Sequence, residues 1–329
     1  MAGNRHLALH ATLPERYARF EVLASSIDYR GRLVVLLVDP ASGGPSAQHW
    51  RRPVPPYDAI AVVCDSADVH EIALHGLDQR FTEIDTFGDG VVLGAARVPP
   101  ARADDESCLD LVPEEQLRLT LNVKLFDGAG NQVGAFYAGD GIEQLLTDPQ
   151  GRIWISYFDE ASYWSRNPDG TRSYRFLVGL ARWDNPASTP WLAPDHTGDR
   201  VVWCDCYALN VGRTLVYACP YTDFPLVELD ASGIRSITPN PVTRCHGLAV
   251  SGSTLAFLDQ HRHGNAIAWQ IRRACRRDTV ITETSRQTLV LPGGRPPRGW
   301  ARGKIGRDAT LWLYEDGDPR QWYRYEIDC

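Results

Sequence analysis

An all-β fold built from repeated hairpins is what this chain predicts, and three observations carry it. The 10 Trp, 13 Tyr and 9 Phe favour strands over helices. The 28 Gly and 22 Pro make the chain rich in turns. One pattern also recurs: a strand, a turn containing Gly or Asp, then a strongly apolar strand. Its copies begin at Phe20 (FEVLASSIDYRGRLVVLLVD), Phe81 (FTEIDTFGDGVVLGAARV), Ile142 (IEQLLTDPQGRIWISYFD), Asp205 (DCYALNVGRTLVYACPY), His246 (HGLAVSGSTLAFLDQ) and Ala301 (ARGKIGRDATLWLYED).

Aligned on their turns, the copies are anchored at Gly31, Gly90, Gly151, Gly212, Gly252 and Asp308, with an average spacing of about 55 residues. Weaker, more polar strands lie between them. They are RLTLNVKLFD and NQVGAFYAG after the second copy, YRFLVGLARWD and STPWLAP after the third, and AIAWQIRR and RQTLVLPG after the fifth. Each unit thus holds two strongly apolar and two amphipathic strands. That is the make-up of a propeller blade, whose inner strands are buried on both faces and whose outer strands are half exposed. The expectation is a six-bladed β-propeller with four-stranded antiparallel blades around a central channel. The ring would be closed by N- and C-terminal strands, with residues 5–13 pairing in the last blade beside QWYRYEI.

A length of 329 residues favours two domains as a prior, but all-β folds often exceed it as one, so residues 1–329 read as a single domain. The hydrophobic fraction of 43% is ample for a core. Helical signals are confined to PEEQL from Pro113, and RADDESCLD before it reads as a solvated loop.

The net charge of −7 argues against nucleic-acid binding, which needs a basic surface. No window approaches the roughly 18 apolar residues of a membrane helix, and the N-terminus lacks an apolar run of signal-peptide length. A cytoplasmic protein is expected, with its eight cysteines as free thiols. One Met among many Arg and Ala suggests a high-GC bacterium.

The turn TDPQGRIWIS and its weaker copies resemble those of the broad six-bladed propeller group that includes gluconolactonase-like, strictosidine-synthase-like and streptogramin-lyase-like proteins. The resemblance covers nearly the whole chain at the level of architecture. It implies a small-molecule site at the mouth of the channel, often with a divalent metal held by carboxylates, amides or histidines. The Asn ligands of the gluconolactonase-like pattern and the close His/Glu pair of the lyase-like pattern do not occur at matching positions.

Counting back from each turn gives the residues that would ring one channel mouth. Glu143, Asp205 and His246 then align in three successive repeats, and Leu23, Phe81 and Ala301 occupy the other three. Three readings stay open. The cluster holds a divalent metal (Mg, Mn, Ca or Zn) that polarises a carbonyl or acidifies a water. Or it works without metal, with His246 as base and Glu143 or Asp205 setting its pKa. Or it is only a polar rim. Arg244 and Arg302 are candidates for an anionic substrate group, and Trp300 for stacking or for core packing. Cys206, one past Asp205, reads as an inert buried thiol.

Other signals carry less. GAGNQVG from Gly128 imitates a dinucleotide motif but joins two strands, so no nucleotide cofactor is expected. QIRRACRRD reads as a solvated connection, HRHGN from His261 as a loop, and GRPPRG from Gly294 as a linker. Two functions are compatible with all this. One is a small-molecule hydrolase (lactonase-like) or lyase/isomerase. The other is a non-catalytic scaffold that binds a protein or ligand.

Overall fold

The structure, a computed structural model, describes residues 3–42, 44–45, 54–65, 68–98, 112–161, 165–167, 169–264 and 266–328. The chain is all-β. Its internal contacts divide it into two compact units: Pro14–Leu192, and Met1–Leu13 together with Ala193–Cys329. Each holds three of the six repeats.

All six hairpins are present as antiparallel pairs. In the first unit they are Glu21–Ile27 with Leu33–Val38, Glu83–Phe87 with Gly90–Gly94, and Ile142–Thr147 with Ile153–Tyr157. Each continues outward into a four-stranded sheet. The added strands are Tyr57–Asp65 and Asp68–Leu77 for the first hairpin, Val123–Phe126 and Gln132–Phe136 for the second, and Leu180–Trp183 and Trp191–Leu192 for the third. The short helix read at PEEQL is Glu114–Leu117. RADDESCLD lies outside the described residues.

In the second unit the hairpins are Asp205–Val211 with Val216–Tyr221, Gly247–Ser251 with Thr254–His263, and Ala301–Arg307 with Thr310–Glu315. The fourth is extended by Leu226–Asp230 and Gly233–Thr238, the fifth by Ala266–Arg277 and Val280–Val290. The sixth gains Gln321–Glu326 and then Ala8–Thr12 from the far end of the chain. The expected pairing of the two chain ends is therefore seen for residues 8–12. Gly3–His6 instead runs parallel to Val280–Val290 and adds a fifth strand to that sheet.

Burial follows the order of the strands. Every residue of Leu33–Val38 is buried, as a strand covered on both faces must be, whereas Asp68–Leu77 at the sheet edge is mostly exposed. Among the described residues, buried apolar side chains cluster within each unit. The D-x-x-G turns have a common cause. Asp28 Oδ1 accepts from the Arg30 and Arg32 amides at 2.9 and 2.8 Å, and Asp148 Oδ1 accepts from Gln150 and Arg152, both at 3.0 Å. Asp127 repeats the arrangement with Ala129 and Asn131, which makes GAGNQVG the hairpin turn its strands implied. The fourth residue of these turns must take a left-handed φ, and Gly31 and Gly151 do so at 81° and 80°.

Neighbouring repeats are tied by buried polar contacts. Within the first unit, Asp85 Oδ2 accepts from the Thr147 amide at 2.7 Å and from its hydroxyl at 3.1 Å, while Thr86 donates its hydroxyl to Asp28 at 3.1 Å. Within the second unit, Asn210 and Gly306 form the single parallel pairing that joins the fourth and sixth hairpins into one eight-stranded sheet. A Cβ at Gly306 would lie 2.3 Å from the Leu248 carbonyl oxygen and 2.7 Å from that of Leu209, so only glycine lets the three inner strands meet.

Two segments differ from their reading as loops. All but the last residue of QIRRACRRD belongs to the strand Ala266–Arg277, and two of its arginines are firmly paired: Arg272 with Glu283 at 2.5 Å and Arg276 with Glu228 at 2.8 Å. The segment begun at His261 continues the strand Thr254–His263. GRPPRG is a pinned connection, because Arg295 donates two bonds (2.9 and 2.7 Å) to the buried Glu315, which also accepts from the Arg298 amide at 2.6 Å.

Candidate functional site

In four of the six repeats the inner strand starts with a β-bulge. The pairing shifts between Val22 and Ala24, between Ile142 and Gln144, between Asp205 and Ala208, and between Arg302 and Ile305. A bulge inserts unpaired residues and re-aims their side chains. Counting back from the turn misses this insertion. The residues at the end of each bulge are Leu23, Glu143, Tyr207 and Lys304. The fifth hairpin has no shift, and His246, whose amide donates to Leu258 O at 2.9 Å, stands just before its first strand pair.

Within the second unit three of these positions converge. The Tyr207 and His246 rings lie 5.9 Å apart between centroids at 58°, and the Lys304 ammonium lies 5.6 Å from the centre of the Tyr207 ring. All three side chains are half-buried. They come from three separate hairpins, so the cluster exists only when the unit is folded.

The bulge that presents Lys304 is built in. Gly303 and Lys304 are both left-handed, with φ of 73° and 55°. Gly303 lies flat against Trp322, where a Cβ would come within 2.3 Å of the indole ring. A lysine in this conformation is strained by roughly 1–3 kcal/mol and persists only because its surroundings hold it.

The other expected residues fall as follows. Asp205 belongs to the same hairpin as Tyr207, but it is 6% exposed and lies at the buried start of the strand. Glu143 is half-buried at the bulge of the third hairpin, in the other unit. Arg244 is exposed at φ 60°, two residues before His246, and among the described residues its guanidinium has no ion-pair partner. Arg302 is paired with Asp316 at 2.9 Å. Trp300 is 38% exposed, so it is not part of the core. Cys206 is fully buried, and burial pushes its thiol far up, with the Cys219 and Asp205 charges adding to the effect and the Cys219 and Ala208 backbone groups opposing it, as an inert thiol requires.

Among the described residues, no group of three or more His, Cys, Asp and Glu side chains is placed to hold a metal ion. The Tyr–His–Lys cluster offers one imidazole, a phenol and a lysine amine, which is not a ligand set for Mg, Mn, Ca or Zn. Among the described residues no helix is long and apolar enough to cross a membrane.

Sequence reasoning also passed over Asp140, in the Gly-Asp-Gly corner before Glu143. It is fully buried, accepts from the Val98 amide at 2.8 Å and faces Arg97 at 3.2 Å. Burial pushes its carboxyl up to about 7, against the opposing pull of Arg97 and of the Val98 and Gly141 amides. The corner is tight: a Cβ at Gly141 would lie 2.7 Å from Ala161 Cα.

No family model and no curated protein matches the chain. Among solved structures it is similar to a gluconolactonase from Xanthomonas campestris at 11% identity, over 99% of this chain and 98% of that one, with a TM-score of 0.40. It is similar to a streptogramin B lyase at 10% identity, over 97% and 96% of the two chains, with a TM-score of 0.39. A subtype N11 neuraminidase-like protein aligns at 8% identity over 99% and 96%, with a TM-score of 0.45. The activities named for those proteins remain theirs.

Proposed function

We propose that the six hairpin repeats are the blades of a six-bladed propeller and that this is a small-molecule enzyme using metal-free acid/base chemistry. The observation that carries the second part is the contact of His246 with Tyr207 from a neighbouring hairpin, with Lys304 over the same phenol. An imidazole is the side chain best suited to take a proton near neutral pH. A phenol beside it can return a proton, and an ammonium can stabilise negative charge that develops on a carbonyl oxygen. These parts suit abstraction of a proton next to a carbonyl, the step of a lyase or isomerase. Lactone hydrolysis is the second reaction class. In this reading His246 is the base, Tyr207 the acid, and Asp205 a buried support of the strand that carries Tyr207.

The test is an activity screen of the full chain with carbonyl acids and lactones, before and after chelation. Turnover should survive chelation and fall at least about 100-fold in His246→Gln, the usual loss when a general base is removed. Unchanged turnover in His246→Gln would defeat the reading. Tight capture of a small molecule with no turnover would favour the non-catalytic scaffold.

A further inference from the structure

The unit Pro14–Leu192 carries a cation that the acid/base reading above does not use. Arg80 stands directly before Phe81, where the second repeat begins. It is half-buried, and its Nε and Nη1 are shut off from solvent without a hydrogen-bond partner among the described residues. We propose that Arg80 is the binding residue for a ligand carboxylate.

Arginines placed this deep are paired elsewhere in the unit. Arg32 faces Asp28 at 2.8 Å, Arg97 faces Asp140 at 3.2 Å, Arg152 faces Asp148 at 2.6 Å and Arg182 faces Asp184 at 2.8 Å. Arg80 has no such carboxylate against it among the described residues. Glu21, which opens the strand Glu21–Ile27 of the first hairpin, acts on it through space but forms no ion pair with it. The Tyr57 phenol is also near, yet burial pushes that phenol up and keeps it neutral. Burial pulls the Arg80 guanidinium down from its ordinary value, and Tyr57 and Glu21 oppose that shift only in part.

The chain on both sides of Arg80 is tied down. Asp78 is paired with Lys124 at 2.7 Å. The Gln79 carbonyl accepts from the Tyr57 hydroxyl at 2.8 Å, and the Gln79 side chain donates to the Leu121 carbonyl at 3.0 Å. Phe81 is fully buried. The fold thus holds a planar cation in place with two donors to spare.

Buried donors without partners are rare in native proteins, because each costs the desolvation of its group. A guanidinium is the donor best matched to a carboxylate. Phosphate sites gather several cations or backbone amides, whereas Arg80 is one cation with Glu21 acting on it, so a single negative charge is what it balances. A water would satisfy the same donors without regard to charge, and that difference is measurable.

The test is nuclear magnetic resonance of the full chain, isotope-labelled at the arginine nitrogens. The Nε–H signals are followed during titration with acetate, inorganic phosphate and neutral acetamide at constant ionic strength. The Arg80 signal is the one lost in Arg80→Lys. It should shift to saturation with acetate, need more phosphate than acetate, and ignore acetamide, while the Arg152 signal ignores all three. No saturable shift with acetate, or an equal shift with acetamide, overturns the proposal. Tighter phosphate binding overturns the carboxylate. Thermal melting supplies a second readout. Arg80→Met removes the donors and should melt no lower than the parent chain in carboxylate-free buffer, and acetate should stabilise the parent but not the variant. A drop of more than about 4 °C in that buffer would mean that the guanidinium already serves the fold, and would overturn the proposal. Arg80→Lys keeps the charge and loses the planar fork, so it should need at least about tenfold more acetate for half the thermal shift. Equal acetate demand would overturn the role given to the guanidinium.

Discussion

Asn210 and Asp308 exchange two hydrogen bonds: Asn210 Nδ2 donates to the Asp308 carbonyl at 2.9 Å, and Asn210 Oδ1 accepts from the Asp308 amide at 3.0 Å. The same Nδ2 donates to Leu248 O at 3.0 Å, so one fully buried amide fastens the inner strands of three hairpins. Replacing it removes this partner from the Leu248 carbonyl and the Asp308 amide, at about 1–3 kcal/mol for each group, while the Asp308 carbonyl keeps the Val250 amide at 2.7 Å. Asn210→Ala should therefore lower unfolding free energy by about 3–5 kcal/mol, read from chemical denaturation. A loss below about 1 kcal/mol would mean that the junction is held by packing alone.

Gly306 faces the same junction, and its substitution tests geometry rather than hydrogen bonding. A Cβ placed 2.3 Å from the Leu248 carbonyl oxygen has no flexible side chain to displace. Gly306→Ala should cost at least about 3 kcal/mol, at the upper end of overpacking effects. Gly3→Ala, with nothing within 4 Å of the added carbon, is the control and should be near neutral. Equal melting temperatures for the two variants would show that the inner strands can part without cost.

Asp140 gives a pH signature of its own. Its folded pKa is raised, to about 7, chiefly by burial. Such a carboxyl favours the folded state most when protonated. Its contribution is complete below the ordinary carboxylate pKa of about 4 and is lost as pH rises through about 7. Asp140→Asn should flatten the stability profile between those limits. The measurement is the denaturation midpoint at half-unit pH steps, and an unchanged slope in the variant would refute it.

Glu283 has the opposite sign. The hydrogen bond from Arg272 first, helped by Arg286 and opposed by desolvation, holds its carboxyl down to about 2. Its stabilisation is present above the ordinary Glu pKa of about 4.3 and is lost as pH falls toward 2. Since Glu283 is partly exposed, solvent screening limits the effect to about 1 kcal/mol. Glu283→Gln should remove that acid-side loss, and its profile should meet that of the parent chain near pH 2.

The hairpins were legible because burial on both faces writes itself as apolar runs such as LVVLLV and IWISY, and because D-x-x-G marks turns whose Asp must cap backbone amides. The site was legible only in part. His246 stands in the one repeat of its unit without a register shift at the strand start, so counting from Gly252 reached it directly. In the fourth and sixth repeats a bulge adds residues without changing the strand's composition, and counting arrived at Asp205 and Ala301 where Tyr207 and Lys304 do the presenting. A signal existed in the sixth: Gly303 interrupts a strand, as bulges often require. Asp140 was hidden differently. Its neighbours Gly139 and Gly141 announced a sharp corner, and nothing in that pattern says the carboxylate turns inward beside Arg97.

The strand Ala8–Thr12 pairs with Gln321–Glu326 and with nothing made before it. During synthesis it waits, unpaired, for nearly the whole chain to leave the ribosome. The unit Pro14–Leu192 is continuous, so it has all its partners on the order of 10 s before the other can finish at ordinary elongation rates. The strand Ala8–Thr12 therefore completes its own unit last. A tag or truncation there should slow the last step of maturation while leaving the Pro14–Leu192 half to form on schedule.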